Sequence, residues 1–140
     1  MDYPSKILRG IPNKEFLDEY GNPHTSLFNF SRPSSDRNDN NIEESINWED
    51  DEDAIRFTLE QKKDGRIQFS EGIAVMSRSE VDRLCIRMVV KNKLTYERKK
   101  LPENKYHGNL LLANDTPKKL KAKIAAGLAL CVEEVIKSNT

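Results

Sequence analysis

The spacing of apolar residues near the C-terminus most constrains how this chain can fold. These residues recur every three or four positions, as on one face of an α-helix, at Leu120, Ile124, Leu128, Cys131, Val132 and Val135. Thr116 is suited to cap such a helix, and Pro117 to its first position. The pattern predicts a helix of about 22 residues, roughly 33 Å long, that ends near Ser138. Its apolar face has to pack against another layer.

Shorter apolar runs, separated by turn residues, predict that this other layer is a sheet. They favour strands at 7–11, 25–30, 67–69, 72–76, 86–91 and 110–113. The acidic run Glu49–Asp53 predicts the first turn of a shorter central helix, which Gly65 would end, because negative charge is favoured there. Ser79–Leu84 predicts a helical turn in which Ser79 and Asp82 form a capping pair. The expected fold class is α+β: a small, mostly antiparallel sheet packed by a long C-terminal helix and a shorter central helix.

The length of the chain predicts one domain. A chain of 140 residues is the usual size of a single compact unit, so we expect residues 1–140 to form one domain. Residues 32–41 contain no apolar side chain, and we predict a flexible loop there because nothing in it offsets the entropy of ordering. Trp48 is the only tryptophan and is predicted to anchor the core.

Hydropathy and cysteine usage predict a cytoplasmic protein. Mean hydropathy is −0.74, no run approaches the ~18 apolar residues of a membrane span, and the N-terminus lacks the apolar core of a signal peptide. Cys85 and Cys131 lie in apolar surroundings and belong to no CxxC pair. We therefore expect no membrane contact and two reduced cysteines within the core.

Charge is balanced in total but divided along the chain. Residues 1–70 carry 9 basic and 15 acidic side chains, whereas residues 71–140 carry 14 and 8. This division can serve a partner, or it can be satisfied internally when the two halves pack together, which is the interpretation we favour. Because the total is zero, any attraction to nucleic acid has to come from a local patch.

Four blocks carry a resemblance to known sequences: LRGI (Leu8–Ile11), SINW (Ser45–Trp48), GIAVMS (Gly72–Ser77) and PENKYHGN (Pro102–Asn109). In block order, from about residue 7 to residue 136, the chain resembles a group of small bacterial proteins with no known activity. The resemblance implies a bacterial, intracellular, single-domain protein. It assigns no catalytic residue.

The sequence has few of the residues that most often act in catalysis, above all histidine. His24 and His107 are the only histidines, and their HTS and HGN contexts do not complete the paired motif of two-histidine phosphoesterases. A metal-dependent phosphodiesterase or nuclease could use two carboxylates and a lysine, here Asp53, Glu60 and Lys62. The same residues are also typical of a solvent-exposed helix. Glycine-rich phosphate loops are absent, and neither calcium-binding nor zinc-binding spacing is met. We expect no cofactor and no metal, and favour a protein that is not an enzyme.

Two groups of residues are candidates for partner binding. Lys118, Lys119, Lys121 and Lys123 lie where the dipole of the C-terminal helix disfavours cations, so helix stability does not explain them. Tyr106, His107 and Asn109 belong to a dense polar and aromatic segment predicted to form a loop.

The leading hypothesis is a non-enzymatic bacterial accessory or adaptor protein that acts through contacts with a protein partner. Homo-oligomerisation is compatible with it. An RNA- or DNA-binding protein that uses the basic second half is the main alternative, and a metal-dependent phosphodiesterase is a further one.

Overall fold

The computed structural model describes residues 3–30, 39–88 and 94–137. The strands in this part of the chain are β1 (Lys6–Gly10), β2 (Asn41–Trp48), β3 (Lys62–Lys63), β4 (Arg66–Ile67), β5 (Ile73–Ser77), β6 (Leu94–Arg98), β7 (His107–Ala113) and β8 (Val132–Ile136). The helices are α1 (Asp53–Glu60), α2 (Arg78–Arg87) and α3 (Lys118–Leu130), with 3-10 turns at Lys14–Phe16 and Thr25–Phe28.

One antiparallel sheet organises the fold. Its strand order in the described residues is β6-β7-β2-β1-β5-β8, and β3 and β4 form a separate hairpin. This arrangement, with α3 packed on the sheet, confirms the predicted α+β class. No helix in the described segments has the length and apolar character needed to cross a membrane.

The two faces of the sheet carry separate cores because successive strand residues point to opposite sides. Ile7 packs in the larger core, under α2, α3 and the Thr25–Phe28 turn, whereas Leu8 packs in the smaller core beneath α1. Trp48 is fully buried in the larger core, as predicted. The helices α1 and α3 therefore lie on opposite faces of the sheet.

The C-terminal helix is shorter than the sequence predicts. It covers 13 residues, Lys118–Leu130, and the chain then forms β8, where Val135 pairs with Ala74 and Ile136 with Ile73. β-branched residues at the end of the apolar pattern favour a strand, and the free edge of β5 supplies partners for its backbone. The predicted cap is also wrong, because Pro117 occupies the N-cap position and the Thr116 hydroxyl donates to Ala113 O at 2.6 Å.

Two of the predicted strands are helical. Residues 25–28 form a 3-10 turn whose cap is His24, which accepts the Ser26 N–H at Nδ1 over 3.1 Å. Ile86 lies in α2, which continues to Arg87, and residues 89–91 of that predicted strand lie outside the described residues. Because apolar alternation is short in both segments, it does not distinguish a strand from one helical turn.

Three predicted boundaries also change. The central helix ends at Glu60 rather than at Gly65. Asp64 and Gly65 instead form the turn between β3 and β4, and their positive φ values of 55° and 79° are those that a type I′ hairpin turn requires. Ser77, not Ser79, is the N-cap of α2. Of the predicted loop 32–41, Asn41 begins β2, and residues 32–38 lie outside the described part of the chain.

Candidate functional site

A cleft of about 1320 Å³ lies beside the central strands β1 and β2. Its floor is formed by β1 and β2, and its walls by the end of α1, the β3–β4 hairpin, the loop between β6 and β7 and the two 3-10 turns. Five residues with side-chain amides line it, Asn29 among them, and we call it the amide cleft after the four that hydrogen-bond in series: Asn47, Gln61, Gln68 and Asn104. It exceeds the roughly 300–1,000 Å³ of typical small-molecule pockets.

The cleft forms where two central strands separate. β1 and β2 are paired only at Ile7–Trp48 and Leu8–Asn47. Beyond Leu8 the gap is bridged by a side chain, because Arg9 Nη1 donates to Ser45 O at 2.7 Å. Arg9 is therefore the side chain that connects the two strands across the gap.

An ion pair holds that arginine. Arg9 Nη2 lies 2.6 Å from Glu44 Oε2, and the two side chains are 20% and 11% exposed. Burial lowers the pKa of the Arg9 guanidinium, and the Glu44 carboxylate opposes that shift. Arg9 Nε donates to Leu27 O at 3.1 Å, and Phe30 N donates to Glu44 Oε1 at 2.7 Å. The pair thus ties the Thr25–Phe28 turn to the two strands.

The amides are joined by hydrogen bonds. Tyr106 N donates to Asn104 Oδ1 at 3.0 Å, and Asn104 Nδ2 donates to Asn47 Oδ1 at 2.9 Å. Asn47 Nδ2 lies 2.7 Å from Thr58 Oγ1 and 3.4 Å from Gln61 Oε1. Because Asn47, Thr58 and Asn104 are buried, these bonds also satisfy polar groups that would otherwise be costly to bury.

The last hydrogen bond between the amides lies on the hairpin side of the cleft. Gln61 Nε2 donates to Gln68 Oε1 at 3.2 Å, and the backbone N–H of Gln68 donates to Gln61 O at 2.8 Å. Phe69 covers Gly10 so closely that a Cβ on Gly10 would lie 2.2 Å from its ring. The hairpin is thereby fixed over the end of β1.

A second cluster fixes the opposite wall. The Tyr106 hydroxyl donates to Asp51 at 2.9 Å, Lys105 Nζ lies 3.8 Å from the same carboxylate, and Phe57 packs against the Tyr106 ring. The hydrogen bond from Tyr106 lowers the pKa of Asp51. Burial, followed by the bond to Asp51, raises the pKa of Tyr106. The β6–β7 loop is therefore anchored to the start of α1.

The segment predicted to form a loop lies close to the cleft, but only Tyr106 of the three residues is in a loop, because His107 and Asn109 belong to β7. Tyr106 and Asn109 are also buried. Tyr106 is 2% exposed and Asn109 1%. Asn109 Nδ2 donates to Glu97 Oε1 at 2.7 Å, while its Oδ1 has no partner among the described residues. His107 lines the cleft, with Nδ1 3.0 Å from Lys99 O.

The predicted basic group lies away from the cleft, on α3. Its members are Lys118, Lys119, Lys121 and Lys123, which are exposed or half-buried and form no ion pair within the described segments. The acidic run pairs with other cations: Asp50 with Arg98 at 2.5 Å and Asp51 with Lys105 at 3.8 Å. Internal pairing of the two halves thus involves residues 98 and 105, not the lysines of α3.

Asp53, Glu60 and Lys62 are not brought together as a metal site. Asp53 begins α1 and pairs with Arg56 at 3.1 Å, whereas Glu60 ends the helix. Asp53 and Glu60 are seven positions apart along α1, and Lys62 lies beyond the helix on β3. Within the described residues there is no group of three His, Cys, Asp or Glu side chains placed to hold a metal ion.

Sequence reasoning missed Asn47, Gln61 and Gln68. The one signal available was a polar residue at position 47 between two large apolar residues, Ile46 and Trp48. No protein family, curated protein or solved structure matches the chain. The fold and the site define the molecule as an α+β protein with a large polar cleft beside the central strands of an antiparallel sheet.

Proposed function

We propose that this is a protein-binding accessory or adaptor protein that receives an extended segment of a partner polypeptide in the amide cleft. The observation that carries the proposal is the cleft itself, which has a volume of about 1320 Å³ and five amide side chains in its lining. Side-chain amides both donate and accept hydrogen bonds, as the peptide groups of an extended chain require.

The rest of the lining also suits a polypeptide. Phe16 and Phe69 line the cleft and are partly exposed, so apolar side chains of a ligand have aromatic surface to cover. The buried Arg9 is already paired with Glu44. Besides that pair, the lining has two basic residues, Lys63 and Arg66, and three acidic residues, Glu43, Asp64 and Glu103. A lining with more acidic than basic residues has no general attraction for a polyanion.

A display experiment tests the proposal. A library of random extended peptides is selected on the purified protein, and the affinities of the enriched peptides are measured by titration. Ser45 is exposed on the cleft floor, so Ser45→Trp should weaken binding at least about tenfold, or 1.4 kcal/mol. The matched control is Ser79→Trp, at an exposed position on α2. The proposal fails if no peptide binds, or if both substitutions affect binding equally.

A second candidate function, nucleic-acid binding, is favoured by the lysines of α3. All four lie in the first half of that helix without an ion-pair partner among the described residues. If each contacts one phosphate, log K should fall with log salt at a slope of roughly −3 to −4. The test is binding of random-sequence DNA and RNA, which should disappear when all four lysines are replaced by Glu.

The proposal also includes the expected location, the expected self-association and the phosphodiesterase alternative. Cys85 and Cys131 are free thiols, as suits a reducing compartment, and we place the protein in the bacterial cytoplasm. Self-association is compatible with adaptor function and is tested by analytical ultracentrifugation. The phosphodiesterase alternative draws no support from the separation of Asp53 and Glu60 along α1.

A further inference from the structure

The hydrogen bonds in the amide cleft have one direction, and a backbone group sets it. A peptide N–H can only donate, so the atom of Asn104 that meets Tyr106 N at 3.0 Å has to be its oxygen. The amino group of Asn104 then points to Asn47, whose oxygen accepts at 2.9 Å. The direction of the series is thus assigned by a backbone donor.

Thr58 confirms this direction independently. Its hydroxyl proton is used on Ala54 O at 2.7 Å, so Thr58 Oγ1 accepts from the amino group of Asn47. The same amino group lies 3.4 Å from Gln61 Oε1, which leaves the amino group of Gln61 to donate to Gln68 Oε1 at 3.2 Å. Each amide accepts from the one before it and donates to the next.

The series ends at Gln68 with an unused donor. Gln68 is half-buried and lines the cleft. Its oxygen is occupied by Gln61, and its amino group has no acceptor within the described part of the chain. Hydrogen bonds in series polarise one another, so this terminal amino group is a stronger donor than an isolated amide.

We propose that the amino group of Gln68 is the anchor of the amide cleft and that it donates to a backbone carbonyl oxygen of the bound polypeptide. This inference rests on the proposed function. A neutral carbonyl matches the site better than a carboxylate does, because the buried cation at the cleft floor, Arg9, is already neutralised by Glu44.

Two isosteric variants test the anchor with the peptides that the display experiment selects. Gln68→Glu keeps an oxygen for Gln61 but replaces the free donor with a carboxylate. Gln61→Glu still accepts from Asn47 but has no donor for Gln68, so the amide of Gln68 has to turn and present its oxygen to the cleft. Both variants should bind at least tenfold more weakly, although Gln68 itself is unchanged in the second. Wild-type affinity in either variant would overturn the inference.

A carbonyl probe separates this inference from the proposed function. N,N-dimethylacetamide accepts hydrogen bonds and has no N–H, and its titration should shift the side-chain amide signals of Gln68 in ¹⁵N NMR spectra of the wild type but not of Gln61→Glu. Such a shift without any peptide binder would leave the anchor in place and refute the peptide-binding function. Absence of the shift, or a larger response to acetate than to the amide, would overturn the carbonyl anchor.

Discussion

The ion pair between Arg9 and Glu44 gives the strongest stability prediction. Removing one partner of a buried pair costs about 3–5 kcal/mol, because the other charge is left buried and unpaired. In Glu44→Gln, the amide oxygen can still accept from Phe30 N, a bond that is 2.7 Å long in the wild type. We therefore expect the lower end, about 3 kcal/mol, and a melting temperature lower by roughly 6–12 °C for a chain of this size.

Urea unfolding at pH 7 provides the assay. Trp48 is fully buried and its ring centroid lies 5.0 Å from that of Tyr3, so its fluorescence should report loss of the core. Arg9→Met and the double variant complete a double-mutant cycle, which should give a coupling energy of about 2 kcal/mol.

An exposed pair supplies the control. The side chains of Arg56 and Asp53 are 69% and 61% exposed, and Asp53→Asn should change the free energy of unfolding by no more than about 0.5 kcal/mol. The reasoning is refuted if Glu44→Gln is as mild as Asp53→Asn, or if the effects of the Arg9 and Glu44 substitutions simply add.

Three further predictions concern single sites. Gly10→Ala should destabilise the fold by about 1–3 kcal/mol, measured by urea unfolding, because the new Cβ would lie 2.2 Å from the ring of Phe69; a neutral effect would contradict this. Burial raises the pKa of the Cys85 thiol to about 11. At pH 8 its alkylation should therefore be roughly 200-fold slower than that of an ordinary thiol. Peptide mass spectrometry measures the rate, and equal rates would refute the raised pKa. The pKa of Asp51 is lowered by the hydrogen bond from Tyr106. Its carboxylate therefore favours the folded state above about pH 4 and loses that effect as pH falls through its lowered pKa. Tyr106→Phe should raise the pKa of Asp51 in a ¹³C NMR titration, and an unchanged pKa would count against the hydrogen bond.

The sequence predicts the elements whose signal is local. β1, β5 and the end of β7 follow short apolar runs, and α1 follows the acidic run that precedes it. The end of α3 was not predictable in this way, because Cys131, Val132 and Val135 fit a continuing helix, whereas the sequence VEEVI of β8 does not alternate as a regular strand would. Pairing of β8 with β5 decides for the strand, and that pairing is a long-range interaction.

The candidate site was predicted only in part, for a similar reason. The segment Pro102–Asn109 does form a wall of the cleft, through Glu103, Asn104 and His107. Its aromatic residue, Tyr106, was expected to contact a partner, but it is 2% exposed and packs inward. Asn47, on β2, and Gln68, beyond the hairpin, join Asn104 only after tertiary folding, and no spacing in the sequence indicates that they meet.

The central position of β1 has a consequence for synthesis on the ribosome. Ile7 pairs with Trp48 on one side and with Met76 on the other, so β1 cannot complete its pairing until β5 has been synthesised. At a translation rate of about 5–20 residues per second, the interval between Ile7 and Met76 is roughly 3–14 s. During that time β1 lacks the strand that pairs with its second edge, and its apolar residues stay without their final neighbours.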